Sequence, residues 1–406
     1  MHAHRQLATM MFLEYVIWGS WLPLLALYLS GVLQFSGADI GWIFATPAAA
    51  SLVALFAGGQ AADRLMSPER LLAKCHAVGG TAMLALAWQR SFWPFFLLML
   101  VHQLAYTPTV SITNAIVFHR ATDSRHDFGR LRMWGTIGWI AASWPFVFLL
   151  ADKTGADLAG ALRSIFVVAG LASYALAGFA LTLPATPIGH GAGASNAPLS
   201  AIKLLAVPSL AVLFVVTFLD SLVHQCYFQW TSPFLERAGL AANWIMPAMS
   251  IGQVAEIATM SVLGVALARF GWRTTMAVGI AAHAARFFIY AIGHPLWLMV
   301  AVNVVHGVCY AFFFAAVYIY VDERFPRHSR ASAQGLFNLL ILGLGPFLGS
   351  VLWGTLGDRF RLADGSVDFS RLFQVPAWMG VAAMVLLLVA FHPAVAGERT
   401  PAAVRS

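Results

Sequence analysis

Pro184-Ala-Thr-Pro-Ile-Gly-His-Gly-Ala-Gly-Ala-Ser-Asn-Ala-Pro198 is the longest interval between apolar runs in this chain, its tails aside. Gly, Ala, Pro and Ser at that density read as a flexible tether. Ahead of it lie six apolar runs, at roughly 7–30, 41–62, 71–89, 93–117, 132–151 and 163–184. Behind it lie six more, at roughly 205–232, 243–268, 273–291, 295–320, 332–356 and 373–392. A membrane-spanning helix needs about 20 such residues. Strand-type alternation is absent, which argues against a membrane β-barrel. The expected fold is therefore all-α. Twelve transmembrane helices form two pseudo-symmetric six-helix bundles, 1–184 and 204–406. A cytoplasmic linker at 185–203 joins them, and a short cytoplasmic tail closes the second.

Composition agrees. Of 406 residues, 60% are hydrophobic and only 10% charged, with a mean hydropathy of +0.76. Soluble domains carry about 25% charged residues. A cytosolic enzyme, a secreted disulfide scaffold and a disordered chain are all excluded. Cys75, Cys226 and Cys309 are too few and too buried in apolar runs for a disulfide framework or a zinc cluster. No metal or cofactor is expected. The net charge of +7 does not indicate a nucleic-acid partner, because the basic residues stand singly and form no stripe with interleaved aromatics. Their distribution instead gives orientation. With the N-terminus inside, 15 of the 24 Lys and Arg fall in inside segments and seven in outside loops. Both termini are expected in the cytoplasm.

The loop after the second run reads Gly59-Gln-Ala-Ala-Asp63-Arg64. The matching loop after the eighth reads Gly264-Val-Ala-Leu-Ala268-Arg269-Phe-Gly271-Trp-Arg273, without the Asp, and a third copy, Gly354-Thr-Leu-Gly-Asp358-Arg359, ends the eleventh. A small residue permits close helix approach, and an Asp beside an Arg can lock an interface that opens and closes. Gly59, Asp63 and Arg64 are therefore read as a conformational loop signature.

A charge at mid-bilayer costs roughly 2.5–3.5 kcal/mol on insertion scales, so charged residues inside apolar runs are functional candidates. Glu14 stands one helical turn from Trp18, and a carboxylate beside an indole suits a polar ring. Arg132, Thr136 and Trp139 share one helix face at i, i+4, i+7. Asp220 and His224, four apart, could share a proton. Gln225 adjoins them with an amide able to read a base edge, and Phe228 could stack on that base. Gln253 and Glu256, at i, i+3, form the clearest polar pair, and a sugar with vicinal hydroxyls would satisfy them. Against each stands a structural reading: headgroup solvation, positive-inside decoration, or hydrogen bonding between helices. Arg286 is expected to pair with a carboxylate that the sequence does not identify. His102 and His306 read as packed core histidines.

Phe12-Leu-Glu-x-x-x-Trp18-Gly-Ser-Trp21, Tyr106-x-Pro108-Thr109-x-x-x-x-Asn114, Arg132-x-Trp134-Gly-Thr136-Ile-Gly, Gln253-x-x-Glu256 and Ser329-Arg-Ala-Ser-Ala-Gln-Gly335 resemble, in order, the nucleoside:proton symporter family of the major facilitator superfamily. The resemblance implies the major facilitator fold, with Arg132, Thr136, Gln225, Gln253 and Glu256 lining a central nucleoside site. Trp18, Trp139, Phe228 and Tyr310 are aromatics that would cover the base, although the types at Trp139 and Phe228 depart from the family's usual ones. The tenth run departs further. Where the family pattern has an aromatic followed by Asp, this chain has Tyr310-Ala311. The proton must then pass to Glu14, Asp220 or Glu256, or coupling is weakened.

The expected activity is import of nucleosides with protons by alternating access, through a bacterial cytoplasmic (inner) membrane, by a monomer. The alternatives are a major facilitator carrier for a sugar or other small polar solute, and an uncoupled nucleoside facilitator or sensor. A membrane-embedded enzyme finds no supporting His-Asp, Ser-His or metal spacing.

Overall fold

In hydrocarbon every backbone N–H and C=O must be satisfied within its own segment or a closed barrel. The computed structural model, which describes residues 2–57, 66–120, 124–184, 208–324 and 327–393, meets that demand with helices. Among the described residues the only extended pairing is one antiparallel bridge, Arg361 with Val367. The elements are α1 His2–Leu27, α2 Gly37–Ala57, α3 Pro68–Leu86, α4 Phe92–Arg120, α5 Ser124–Ala141, α6 Trp144–Leu149, α7 Gly155–Leu162, α8 Ser164–Ala180, α9 Pro208–Arg237, α10 Ala242–Ile292, α11 Leu296–Ala301, α12 Val305–Cys309, α13 Ala316–Arg324, α14 Arg327–Asn338, α15 Gly345–Arg359 and α16 Phe369–Ala390. π-helical turns follow α1 (Tyr28–Val32), α12 (Tyr310–Ala315) and α14 (Leu339–Leu344).

Helix stands at each of the twelve expected places. Among the described residues, nine continuous helical stretches are long and apolar enough to cross a membrane. One of these is α10, which covers both the eighth and the ninth run. It bends at Gly271, where φ is +73°, a left-handed conformation that glycine adopts without a Cβ penalty. The helices at the third and fifth places, α3 and α5, fall outside the nine. Both are less apolar: α3 opens with Glu69, Arg70 and Lys74, and α5 holds Arg125, Arg130 and Arg132.

Burial runs opposite to that of a soluble protein. Phe148 and Val389 are 77% and 71% exposed, whereas Glu14, Asp220, His283 and Arg286 are fully buried. Apolar side chains facing outward suit a lipid solvent, and polar groups are kept inside.

The helices fall into two packed units: Met1–Ala194 with Gly239–Ser250, and Ser195–Ala238 with Ile251–Ser406. The expected linker, 185–203, lies outside the described residues. In the first unit α1 packs between α5 and α8, and α3 between α4 and α8. Small residues set the α1–α5 spacing. A Cβ on Gly138 would fall 2.2 Å from the Phe12 carbonyl oxygen, and one on Gly19 would fall 2.9 Å from that of Trp139. The start of α10 belongs to this unit, where the Asn243 amide donates to the Val147 carbonyl (3.3 Å). In the second unit α9 packs on α15 and α16. There Gly307 lies so close to α10 that a Cβ would fall 2.4 Å from the Glu256 nitrogen.

Candidate substrate and proton site

In the first unit the expected residues cluster on the α1–α5 seam. The Arg132 guanidinium lies over the Tyr15 ring, 4.2 Å from its centroid. Trp139 meets Trp18 edge-on, with centroids 5.3 Å apart, and Trp18 also approaches Tyr106 at 6.3 Å. Thr136 is half-buried on the turn between Arg132 and Trp139. Arg132 and Trp139, two of the three residues on the face read from the sequence, are thus directed at α1.

Glu14 lies one helical turn from Trp18 on α1, and its carboxylate is engaged by other helices. It is fully buried, and other residues occupy it. Its Oε2 lies 2.9 Å from His76 Nε2, its Oε1 accepts from the Thr109 hydroxyl at 2.6 Å, and its backbone carbonyl accepts from Tyr106 at 2.7 Å. His76 and Thr109 come from α3 and α4, distant in sequence from α1, so no local spacing announced them. His102 is a packed core histidine as expected. Its Nδ1 bonds the Gly79 carbonyl (3.1 Å), and its ring stacks on Tyr106.

In the second unit Asp220 and His224 do not bond each other. Asp220 Oδ1 lies 2.8 Å from His283 Nδ1, and His283 Nε2 lies 3.1 Å from His224 Nδ1. An imidazole from α10 has entered between two groups of α9. His224 stacks on His306, with centroids 5.3 Å apart and planes at 24°. His306 Nδ1 in turn takes a bond from Arg286 Nη1 at 3.0 Å. His306 is therefore more than packing. Among the described residues Arg286 pairs with no carboxylate: its guanidinium lies over Tyr227 at 4.2 Å, and Nε and Nη2 lack hydrogen-bond partners there. Tyr227 and Tyr290 both donate to Asn303 Oδ1 at 3.0 Å.

Around this cluster lie the remaining candidates. Phe228 sets its edge against His224 (5.3 Å) and His306 (5.8 Å). Gln225 uses one of its two N–H donors on Ser350 Oγ (2.9 Å). Gln253 is half-buried, with an Oε1 that has no partner among the described residues, and Glu256 is half-buried on the same helix. Tyr310 begins a π-helical turn, and Phe314 of that turn packs on His224 at 5.1 Å. π turns of this kind recur at functional sites.

Gly59, Asp63 and Arg64 lie outside the described residues. In the third copy Asp358 takes Arg361 (3.0 Å) as a partner, three residues on, and both are partly exposed.

Residues 1–395 match the family described as Nucleoside H+ symporter. The chain belongs to that family. Among relatives of this nucleoside symporter, YegT of Escherichia coli (strain K12) is 34% identical over 395 residues, covering 94% of this chain and 91% of YegT. The xanthosine permease of the same organism is 29% identical over 406 residues, with 95% of each chain covered. The crystal structure of the nucleoside transporter NupG superposes with a TM-score of 0.87 at 26% identity, over 96% of this chain and 99% of that one. A D-xylose-proton symporter, at 11% identity and a TM-score of 0.74, shares the fold alone. The symporter is thus an all-α, multi-pass membrane transporter of the major facilitator type. Its family and neighbours are carriers rather than enzymes.

Proposed function

We propose that this chain imports nucleosides together with protons by alternating access. The observation that supports this most directly is the match of residues 1–395 to a proton-coupled nucleoside family, in a chain that buries a carboxylate against an imidazole in each packed unit. A nucleoside is uncharged, so membrane voltage cannot concentrate it. One co-transported proton couples it to ~2.3 kcal/mol per 100 mV, enough for about fiftyfold accumulation.

Gln225 and Gln253 bind the base or ribose through their amides, and Glu256 accepts from ribose hydroxyls. Thr136 offers a hydroxyl, and an aromatic among Trp18, Trp139, Phe228 and Tyr310 covers the base. Arg132, held over Tyr15, supplies a fixed cation midway along α5. The proton rides on one of the acids Glu14, Asp220 and Glu256. The carrier works as a monomer in a bacterial inner membrane, with bundles 1–184 and 204–406 joined by the cytoplasmic linker and both termini in the cytoplasm.

Uptake of labelled uridine into proteoliposomes, with and without an imposed pH step, tests this. Accumulation that requires the step is the expected result. Uptake unchanged when the gradient is collapsed would favour an uncoupled facilitator, and competition by a sugar but not by adenosine would favour a sugar carrier.

A further inference from the structure

Ala311 stands where the resemblance places a proton-carrying acid, and it is fully buried in the π-helical turn Tyr310–Ala315. A carrier without that acid takes its proton elsewhere. Glu14 has both oxygens engaged, by His76 and by Thr109. Asp220 differs in two respects. Its Oδ2 has no hydrogen-bond partner among the described residues, and its Oδ1 ends a chain of imidazoles that leads to the half-buried His224. His224 adjoins Gln225 and packs on Phe228, both expected to contact substrate.

Donor and acceptor rules fix what this chain of groups can do. A guanidinium can only donate, so His306 Nδ1 accepts from Arg286, and any proton on a neutral His306 sits on Nε2. With Asp220 ionised, His283 donates to it from Nδ1 and accepts at Nε2 from His224 Nδ1–H. The Nε2 of His224 is then a free lone pair.

We infer that Asp220 takes up the transported proton, delivered from His224 through His283. The step rests on the reading of the chain as a proton-coupled nucleoside carrier. A proton bonds His224 Nε2, and the His224 Nδ1 proton passes to His283 Nε2. The His283 Nδ1 proton then passes to Asp220 Oδ1. Each imidazole gains one N–H bond and loses another. All three relay groups end neutral, and the cluster has gained one positive charge.

The gain is felt by Arg286. While Asp220 is ionised, the guanidinium has a counter-charge in the same buried cluster. Once Asp220 is neutral, a fully buried cation with two unbonded donor positions remains, at a cost that apolar surroundings magnify. Proton uptake thus removes the electrostatic reason for this arrangement of α9, α10 and α12. Among the described residues, the other titratable groups that interact with Arg286 are Cys226 and Tyr227 on α9, Tyr290 on α10 and Cys309 on α12. Tyr227 and Tyr290 are tied as donors to Asn303.

Asp220→Asn and His283→Gln, reconstituted in proteoliposomes, test the relay. A gradient of one pH unit gives tenfold uridine accumulation at one proton per nucleoside. Both variants are expected to retain uridine–uridine exchange, to accumulate to a ratio of one, and to lose the external alkalinisation that uridine triggers. If Asp220→Asn does not yield monodisperse protein, His283→Gln, which leaves the acid in place, decides alone. Tenfold accumulation with alkalinisation in the variants would overturn the relay. So would loss of exchange in folded variants, which would mark the cluster as structural. A wild-type protein that neither exchanges nor accumulates any nucleoside would instead refute the carrier reading.

Discussion

Gly138→Ala adds one methyl group at the tightest point of the α1–α5 seam. Its Cβ would fall 2.2 Å from the Phe12 carbonyl oxygen and 3.1 Å from the Phe12 Cα. Carbon–oxygen contacts between helices settle near ~3.3 Å, so the helices must part by about 1 Å at this crossing. Overpacking of this kind costs about 1–3 kcal/mol. The same displacement loosens the Trp18–Trp139 contact and the stacking of Arg132 on Tyr15, the latter worth about 1 kcal/mol. A loss near 2–3 kcal/mol is expected, together with weaker uridine uptake, because α1 and α5 carry Trp18, Arg132, Thr136 and Trp139. Gly178→Ala, on α8 with open space around the new methyl, is the control and should be neutral or slightly stabilising. Thermal unfolding of both purified variants in detergent, followed by tryptophan fluorescence, reads the difference. Equal stability of the two would refute the claim that contact across this seam sets the helix spacing.

Glu256→Gln removes a charged acceptor, a change worth about 1.5–3 kcal/mol when bonded to ribose hydroxyls. It should raise the half-saturating uridine concentration at least tenfold while leaving the proton-linked accumulation ratio intact, as saturation curves under a fixed pH step would show. Asn303→Ala removes the acceptor that the Tyr227 and Tyr290 hydroxyls share. At about 1 kcal/mol for each lost hydrogen bond, it should lower the unfolding temperature more than a surface change does. Asp364 is an exposed loop residue whose carboxyl is held below its usual range, first by the Ser366 hydroxyl and then by the Ser366 amide. A depressed carboxyl stabilises above its unfolded pKa, and that effect fades as pH falls through the folded value. Because the group is solvated, Asp364→Asn should leave thermal stability at pH 7 unchanged and abolish only this small acid-limb dependence.

The fold was legible because apolar length is a one-dimensional signal, and lipid imposes it on the sequence directly. The shared face of Arg132, Thr136 and Trp139 was legible too, since helical periodicity fixes it. Partner choice was not. Asp220 and His224 look like partners at i, i+4, yet His283, 63 residues from Asp220, lies between them. Glu14 is claimed by His76 and Thr109, which belong to other helices. Arg286 finds an imidazole where a carboxylate was expected. In each case the bond is made across helices, and periodicity within one helix carries no information about its neighbour. The bend at Gly271 within α10 was likewise anticipated only as a gap between two runs.

The wide turns at Tyr310–Ala315 and Leu339–Leu344 each hold about one residue more than an ordinary helical turn, which rotates everything beyond by about 100°. A helical wheel drawn through 296–324 as a single cylinder is therefore out of phase past Ala315. Tyr318 and Asn338 flank these two insertions, and a 2.7 Å hydrogen bond ties the phenol to the amide oxygen. Neither segment can shed its surplus residue and rewind without swinging one end of that strut, so any twist in one helix is geared to a matching twist in the other.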